Sequence, residues 1–302
     1  MRVVDLFSGC GGLSLGFQNA GFNVVAAYDN WHVAVDCYNK NFSHPAFQLD
    51  LTDSAAVARQ IVYHKAQMIV GGPPCQDFSH AGGRTEGTRA NLTQSFAEVV
   101  SKCRPDWFVM ENVDRARTSK AYSKARAEFR KFGYGLTEKT IDASFCGVPQ
   151  KRKRFFVVGH LGDVDDFLSA GLELGLSSKP MTIRKYLGKE LGIEHYYRHP
   201  RNYSRRAVFS IDEPAPTIRG VNRPVPKGYL GHDGDSVPVE SGIRPLTTLE
   251  RARLQTFPKT FKWSASKTDV EQMIGNAVPV KLAEYIAAAI YRYIGSRQSK
   301  AA

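Results

Sequence analysis

Apolar positions in the first half of the chain recur with two alternating periods. Val3–Phe7, Val24–Tyr28, Met68–Val70, Trp107–Met110 and Arg154–His160 are short runs rich in β-branched and aromatic residues, with the length of buried strands. Between them, Gly12–Ala20, Trp31–Asn41, Gln94–Lys102 and Ser123–Phe132 carry apolar residues at helical spacing. This alternation predicts an α/β fold, a mostly parallel sheet with helices on both faces, whose ligands sit at the carboxyl ends of the strands. The rhythm stops after Leu176. Residues 182–244 are rich in Arg, Tyr, Pro and Gly; regular pattern returns at Thr248–Phe257 and ends in a helix over Pro279–Ile294. The expected organisation is a first domain over 1–181, completed by the C-terminal helix within 271–302, and a smaller domain with its hinge over 182–270.

The 302 residues suffice for one large domain and a smaller partner. No apolar run approaches the ~20 residues that span a bilayer, and the N-terminus enters a strand at once, so no membrane segment, signal or transit peptide is expected and a cytoplasmic location is. The five cysteines are scattered, odd in number and without a C-x-x-C pair, which argues against a disulfide framework or a zinc ribbon. His195 and His199 flank no H-E-x-x-H order, so no metal is expected there. The net charge of +12 attracts polyanions. Arg198, Arg201, Arg205, Arg206, Arg219, Arg223 and Lys227 fall in one segment, interleaved with Tyr196, Tyr197, Tyr203 and Tyr229. Cations for phosphates beside rings for stacking suit a nucleic-acid surface.

Two segments carry candidate chemistry. In Gly71-Gly72-Pro73-Pro74-Cys75-Gln76 a cysteine follows a diproline at the end of a buried strand, and each proline stiffens itself and the residue before it. That frame suits a nucleophile, although a tight turn alone would also explain it. Asp5–Leu13 joins the first strand to the first helix through glycines that let backbone approach a ligand. Its spacing is not G-x-G-x-x-G, which speaks against a pyrophosphate dinucleotide. Asp29 closes the second strand, where a ribose is commonly held, and Asp50 follows the next strand-like piece. Together they describe an adenosine-type cofactor.

Asp5–Gly12 with Phe17, Pro-Pro-Cys-Gln, Glu111-Asn112-Val113, Gln150-x-Arg152-x-Arg154 and Gly275-Asn276-Ala277-Val278-Pro279 stand in the order found in DNA (cytosine-5) methyltransferases, and the chain resembles that family from residue 2 to about 290. The resemblance implies a Rossmann-like, doubly wound S-adenosylmethionine-dependent methyltransferase sheet with a smaller target-recognition domain. It implies a Cys75 thiolate that adds to cytosine C6, making C5 nucleophilic, and a Glu111 that holds N3 and its proton. Arg152, Arg154 and Gln150 would complete the catalytic set; charged strand end and helix-cap carboxylate are the plainer readings of the arginines and of Glu111. S-adenosylmethionine would be held by Phe7, Ser8, Gly9, Gly11, Leu13, Asp29, Asn30, Asp50, Leu51, Pro73, Asn276 and Val278. DNA would be contacted by Gln76, Ser79, Arg84, Arg205, Arg206 and Thr217, the last in a Pro-Thr-Ile element, and residues 79–92 would form a closing loop behind the flipped base. Arg244–Thr247 and Glu250–Leu254 would be structural.

Two departures from the family pattern stand out. Asp77 replaces a small residue after Gln76, and Asp29 with Asn30 replaces a glutamate and an aromatic. The expected protein is a monomer acting on double-stranded DNA, associated with the nucleoid, and the modification partner of a restriction endonuclease. A transfer-RNA cytosine-C5 methyltransferase and a catalytically silent nucleic-acid-binding relative are the rival readings. The basic segment with its Pro-Thr-Ile element opposes the first, and the intact Cys75, Glu111 and Arg152 oppose the second.

Overall fold

The computed structural model describes residues 1–74, 92–200, 202, 204–239 and 242–301. Eight strands occur in its first part: β1 (Arg2–Leu6), β2 (Asn23–Asp29), β3 (Ala46–Gln48), β4 (Met68–Gly71), β5 (Trp107–Val113), β6 (Tyr134–Asp142), β7 (Gln150–Lys151) and β8 (Lys153–Leu161). Helices α1 (Gly12–Asn19), α2 (His32–Asn39), α3 (Ser54–Tyr63), α4 (Leu92–Cys103) and α5 (Lys120–Lys131) lie between them. The chain divides into two compact units. One comprises Met1–Ile141, Lys153–Leu176 and Ala283–Ala302; the other comprises Asp142–Arg152 and Ser177–Leu282.

The first unit holds a seven-stranded sheet of order β3-β2-β1-β4-β5-β8-β6. β1 through β5 pair in parallel, and β8 runs antiparallel to β5. Strand residues alternate between faces. Val4, Leu6, Ile69, Phe108 and Val157 turn toward one face, where Val57 and Ile61 of α3, Phe96 and Val100 of α4 and Phe129 of α5 close over them. The rings of Phe108 and Phe129 stack at 4.1 Å. On the opposite face, α1 is tied to β1 by Ser14 Oγ donating to Asp5. Helix α6 (Ser169–Leu174) follows the sheet, and the C-terminal helix is fastened to this unit by Tyr293, whose hydroxyl donates to Asp163 at 2.5 Å.

Helix α3 and strand β6 are absent from the sequence reading. The apolar positions of α3 do keep a helical period, and its Asp53 cap, which accepts from the Ala55 and Ala56 amides, is a local signal that identifies its start. β6 carries Thr, Glu and Lys where a buried strand would be apolar.

The second unit contains α7 (Ile183–Leu187), β9 (His195–Tyr197), β10 (Val208–Ser210), β11 (Ala215–Pro216), α8 (Thr248–Leu254) and α9 (Lys267–Asn276), and α10 (Val280–Ala301) begins in it. Its strands are short: β9 pairs antiparallel with β10, and β7 pairs in parallel with β11. Side chains therefore supply much of its order. Asp235 accepts from the amides of Ala207, Val208 and His232 and from the Tyr229 hydroxyl. Thr247 and Glu250 form a reciprocal cap on α8, and Arg244 grips Glu250 through both guanidinium arms. Lys267–Arg297 does reach the length and hydropathy of a membrane span, which corrects the reading that no segment comes close. Of its most apolar stretch, 67 % is buried inside the protein, as in a core helix.

Candidate active site

Parallel pairing brings four strand ends level. The register sets Leu6 opposite both Tyr28 and Gly71, and Gly71 opposite Met110. The next residues along the chain, Asp29, Phe7, Gly72 and Glu111, follow this paired row at the carboxyl side of β2, β1, β4 and β5. Chain order reverses between β1 and β4, where open α/β sheets bind ligands.

The β1–α1 loop is shaped for backbone approach. Phe7, Gly9 and Gly11 all have positive φ, of 57°, 52° and 95°. A Cβ on Gly11 would lie 2.4 Å from the Phe42 ring, whereas one on Gly9 would meet nothing within 4 Å. The loop is thus closed by aromatics behind Gly11 and open beside Gly9. The Gly9 amide donates to Asp29 Oδ2 and the Trp31 amide to Oδ1, both at 2.8 Å. Burial raises the Asp29 carboxyl above its ordinary value, and these amide bonds oppose the rise. Asp5 is fully buried and raised to about 7, first by desolvation and further by the charge of Asp29, against the Ser14 hydrogen bond. Ser8 and Leu13 are buried, Phe7 is half-buried, Leu51 is buried, and Asn30 and Asp50 are exposed. Asp50 holds its own turn by accepting from the Thr52 amide and hydroxyl.

Glu111 is 8 % exposed and pairs with Arg154, whose Nε stands 2.7 Å from Oε1. The antiparallel register explains the pair. Glu111 faces Phe156 and Val113 faces Arg154, so the two charged residues are diagonal neighbours on one face. Burial lowers the Arg154 pKa while the Glu111 carboxylate works to raise it. A Cβ on Gly72 would sit 3.0 Å from Glu111 Oε2, so glycine there leaves the carboxylate its space. Asn112 Nδ2 donates to the Pro73 carbonyl at 3.0 Å, anchoring the diproline. Cys75, Gln76, Asp77, Ser79 and Arg84 lie outside the described residues.

Gln150 and Arg152 occupy the second unit and are buried, Gln150 completely and Arg152 to 1 % exposure. The Arg152 guanidinium donates to the carbonyls of Ile218, Gly275 and Ala277 at 3.0, 3.0 and 3.2 Å. Gln150 accepts from the Ile218 amide and donates to Gln255, whose own amide donates to Ile274 and Ala277. Three distant sequence segments are sewn together in this way: Gln150-x-Arg152, Pro-Thr-Ile, and Gly-Asn-Ala-Val-Pro. Gly275 makes the approach possible, since a Cβ there would fall 2.1 Å from the Gly220 nitrogen. These bonds tie the Arg152 guanidinium to three main-chain carbonyls. Arg152→Lys should therefore destabilise the protein by roughly 2–4 kcal/mol, because an ammonium cannot reach three carbonyls and leaves buried acceptors unpaired. A denaturant titration checks this, and an unchanged midpoint would show that the clamp is dispensable.

Asn276 and Val278 also lie in the second unit, Asn276 exposed and bonded to Gln272. Thr217 donates its hydroxyl to the Lys151 carbonyl. Arg205 is exposed, whereas Arg206 pairs with Glu213 and lies 4.3 Å over the Phe209 ring. Arg206 is thus held within its own unit. Trp31, Gly72 and Gln255 are missing from the sequence-based site. An aromatic one residue beyond Asn30 and a second glycine before the diproline were visible signals; a lone glutamine at a helix end was not.

Comparison with known proteins places the chain in a family. The family described as C-5 cytosine-specific DNA methylase matches residues 1–292. The Type II methyltransferase M.HindV of Haemophilus influenzae is 55 % identical over 295 residues, covering 97 % of each chain. The Type II methyltransferase M.HgiDI of Herpetosiphon aurantiacus is 51 % identical over 296 residues, covering 97 % of this chain and 95 % of its own. Among solved structures, the S. pombe Dnmt2 methyltransferase superposes with a TM-score of 0.72 at 20 % identity, covering 97 % of this chain and 99 % of that one, a likeness of fold. With its glycine loop, its buried Glu111 and these relatives, the chain belongs to the C-5 cytosine-specific DNA methylases and is a DNA (cytosine-5-)-methyltransferase.

Proposed function

We propose that the protein methylates C5 of a cytosine flipped out of duplex DNA, through a covalent bond between Cys75 and C6, and that it is the modification enzyme of a Type II restriction system. The observation that carries this reading is that Asp29, Phe7, Gly72 and Glu111 each follow the paired row of Tyr28, Leu6, Gly71 and Met110, with Arg154 held on Glu111. The Type II role rests on M.HindV and M.HgiDI, which match this chain along nearly its whole length.

The loop residues fit S-adenosylmethionine. Space is open beside Gly9, and the buried Ser8 Oγ and Asp5 Oδ1 have no hydrogen-bond partner among the described residues, as expected of a pocket that receives a polar ligand. Phe7, Gly9, Gly11 and Leu13 would hold the cofactor, Asp29 its ribose hydroxyls and Asp50 its adenine amino group, with Leu51 and Pro73 beside them. Trp31, tied to Asp29, adds an aromatic surface. When bound, the cofactor supplies an electrophilic methyl group.

On the cytosine, the Cys75 thiolate forms the sulfur–C6 bond and pushes the electron pair of the C5–C6 bond toward C5 and N3. Glu111 holds the proton at N3, and Arg154 fixes the carboxylate that does so. C5 would then bond to the methyl group as its bond to the sulfonium breaks and a neutral thioether leaves, and loss of the C5 proton to solvent would re-form the C5–C6 double bond and expel the Cys75 thiolate. In this reading Gln150 and Arg152 shape the wall of the target-recognition unit.

Duplex DNA and transfer RNA incubated in parallel with labelled cofactor test the substrate, and bisulfite sequencing of plasmid from expressing cells tests the position. Label in DNA with protected cytosines at one recurring sequence is expected. Label confined to transfer RNA, or methylation of the cytosine amino group, would overturn the reading.

A further inference from the structure

A chain of polar side chains runs from strand β1 across the first unit. Ser14 Oγ donates to Asp5 Oδ2 at 2.6 Å, the Tyr38 hydroxyl donates to Ser14 Oγ at 2.7 Å, and His44 Nε2 meets the Tyr38 oxygen at 2.7 Å. Gln18 Nε2 closes the far end on His44 Nδ1 at 3.4 Å. Each hydroxyl has one proton to give. The Tyr38 proton goes to Ser14, so His44 donates through Nε2 and accepts through Nδ1. Burial lowers His44 to about 4 and raises Tyr38 well above its ordinary value, which keeps both groups neutral and in this arrangement. Every hydrogen of the chain therefore points toward Asp5. An aligned series of this kind polarises link by link toward a negative charge at its end.

Asp5 itself is fully buried, and its Oδ1 has no hydrogen-bond partner among the described residues. The register sets Asp5 opposite Ala27 of β2 and Val70 of β4, so Asp29, two residues beyond Ala27, shares its face. Asp29 in turn accepts from the Gly9 amide of the glycine loop. Around Asp5 stand Ser14 on α1, Asp29 on β2, apolar Val70 on β4, and Tyr38 on α2 with neutral His44 behind it. The Cys10 thiol of the loop, raised by burial and then by Cys37, lies in the field of Asp29. None of these groups is a cation, and residues 5–13 include no Lys or Arg. Desolvation, opposed by the Ser14 bond and aided by the charge of Asp29, raises the Asp5 carboxyl to about 7. Two carboxyls thus meet at the loop without a counter-ion, and a cation bound beside it would supply the missing charge.

Resting on the S-adenosylmethionine reading above, we propose that Asp5 is a specificity-determining residue, whose carboxylate, supported by the Ser14–Tyr38–His44 chain, favours the sulfonium form of the cofactor over the uncharged thioether left after methyl transfer. The two forms share their amino and carboxyl groups and differ by a methyl group that brings one positive charge. A buried carboxylate distinguishes them by that charge, because its field is little screened by solvent. Binding of the sulfonium form draws the proton off Asp5, whereas the thioether leaves it in place.

Titration calorimetry of the full-length protein with S-adenosylmethionine and with S-adenosylhomocysteine, between about pH 6 and 8 in buffers of different ionisation enthalpy, tests this. The preference for the sulfonium form should grow by about five- to ten-fold over that range as Asp5 ionises, and near neutral pH its binding should release roughly half a proton more than binding of the thioether. Asp5→Asn keeps an acceptor for Ser14 without the charge. It should flatten the profile and weaken binding of the sulfonium form alone. Tyr38→Phe keeps the ring stacked on Phe42 but cuts the chain at Ser14, and should move the profile to higher pH. A preference independent of pH in the parent, or equal proton release with both ligands, would overturn the proposal, and neither measurement needs a variant that folds. A parent profile retained in Asp5→Asn would assign the titration to Asp29 and overturn it as well. Failure of both ligands to bind would remove the cofactor reading too, whereas binding with a flat profile removes the role of Asp5 alone.

Discussion

Replacement of Cys75 by alanine is expected to abolish methyl transfer while cofactor binding and the unfolding transition stay at parent values. The described thiols offer no substitute, and Cys37 is fully buried. Burial raises Cys10 well above its ordinary value, and it lifts Cys103 to about 11 and Cys146 to about 12, so none of these is a thiolate near neutral pH. Cys75 follows the diproline whose carbonyl is held by Asn112, next in sequence to Glu111. DNA carrying 5-fluorocytosine should form a denaturation-resistant complex with the parent, because fluorine cannot leave C5 as a proton and the adduct stalls. The alanine variant should form none. Full turnover by Cys75→Ala would end the covalent mechanism.

Glu111→Gln is expected to lower the single-turnover rate constant by a factor on the order of 10² to 10⁴, the usual worth of a positioned acid–base group. An amide can accept from Arg154 as the carboxylate does, so the partner stays hydrogen-bonded, but it cannot carry the proton at N3. Cofactor affinity should change little. Glu111→Ala should do more: it leaves the buried Arg154 guanidinium without its counter-charge and should cost about 3–5 kcal/mol of stability. An unchanged rate in the glutamine variant, with a lowered melting point in the alanine variant, would reduce Glu111 to a structural carboxylate.

Much of the first unit could be read from the chain. β1, β2, β4, β5 and β8 are short apolar runs of strand length, and the helices between them keep a helical period, so local pattern and tertiary role agree. β6 escaped because it is polar along half its length, whereas α3 carried both an Asp53 cap and a buried face of Val57, Ala58 and Ile61 that could have been read. The second unit was legible only as a change in composition. Its strands span two or three residues, too short to show a period, and its order comes from Asp235, Arg152, Gln150 and Gln255 bonding to backbone far away in sequence.

What the amino-acid sequence determined by itself is the chemistry on offer: a cysteine on a diproline, a glycine loop after the first strand, an acid at the end of the second, and Glu-Asn-Val at the end of the fifth. Spacing and residue type suffice for these because each depends on a few neighbouring residues. What only the tertiary structure decided is which charges are committed. Arg152 and Arg154 are two residues apart and look alike in the chain, yet one is clamped to three carbonyls and the other is paired with Glu111. Arg205 and Arg206 are adjacent, yet one is exposed and the other is bound to Glu213 and Phe209. Arg152 and Arg154 take their roles from acceptors distant in sequence, Ile218, Gly275 and Ala277 for the first and Glu111 for the second, and no local pattern carries that information.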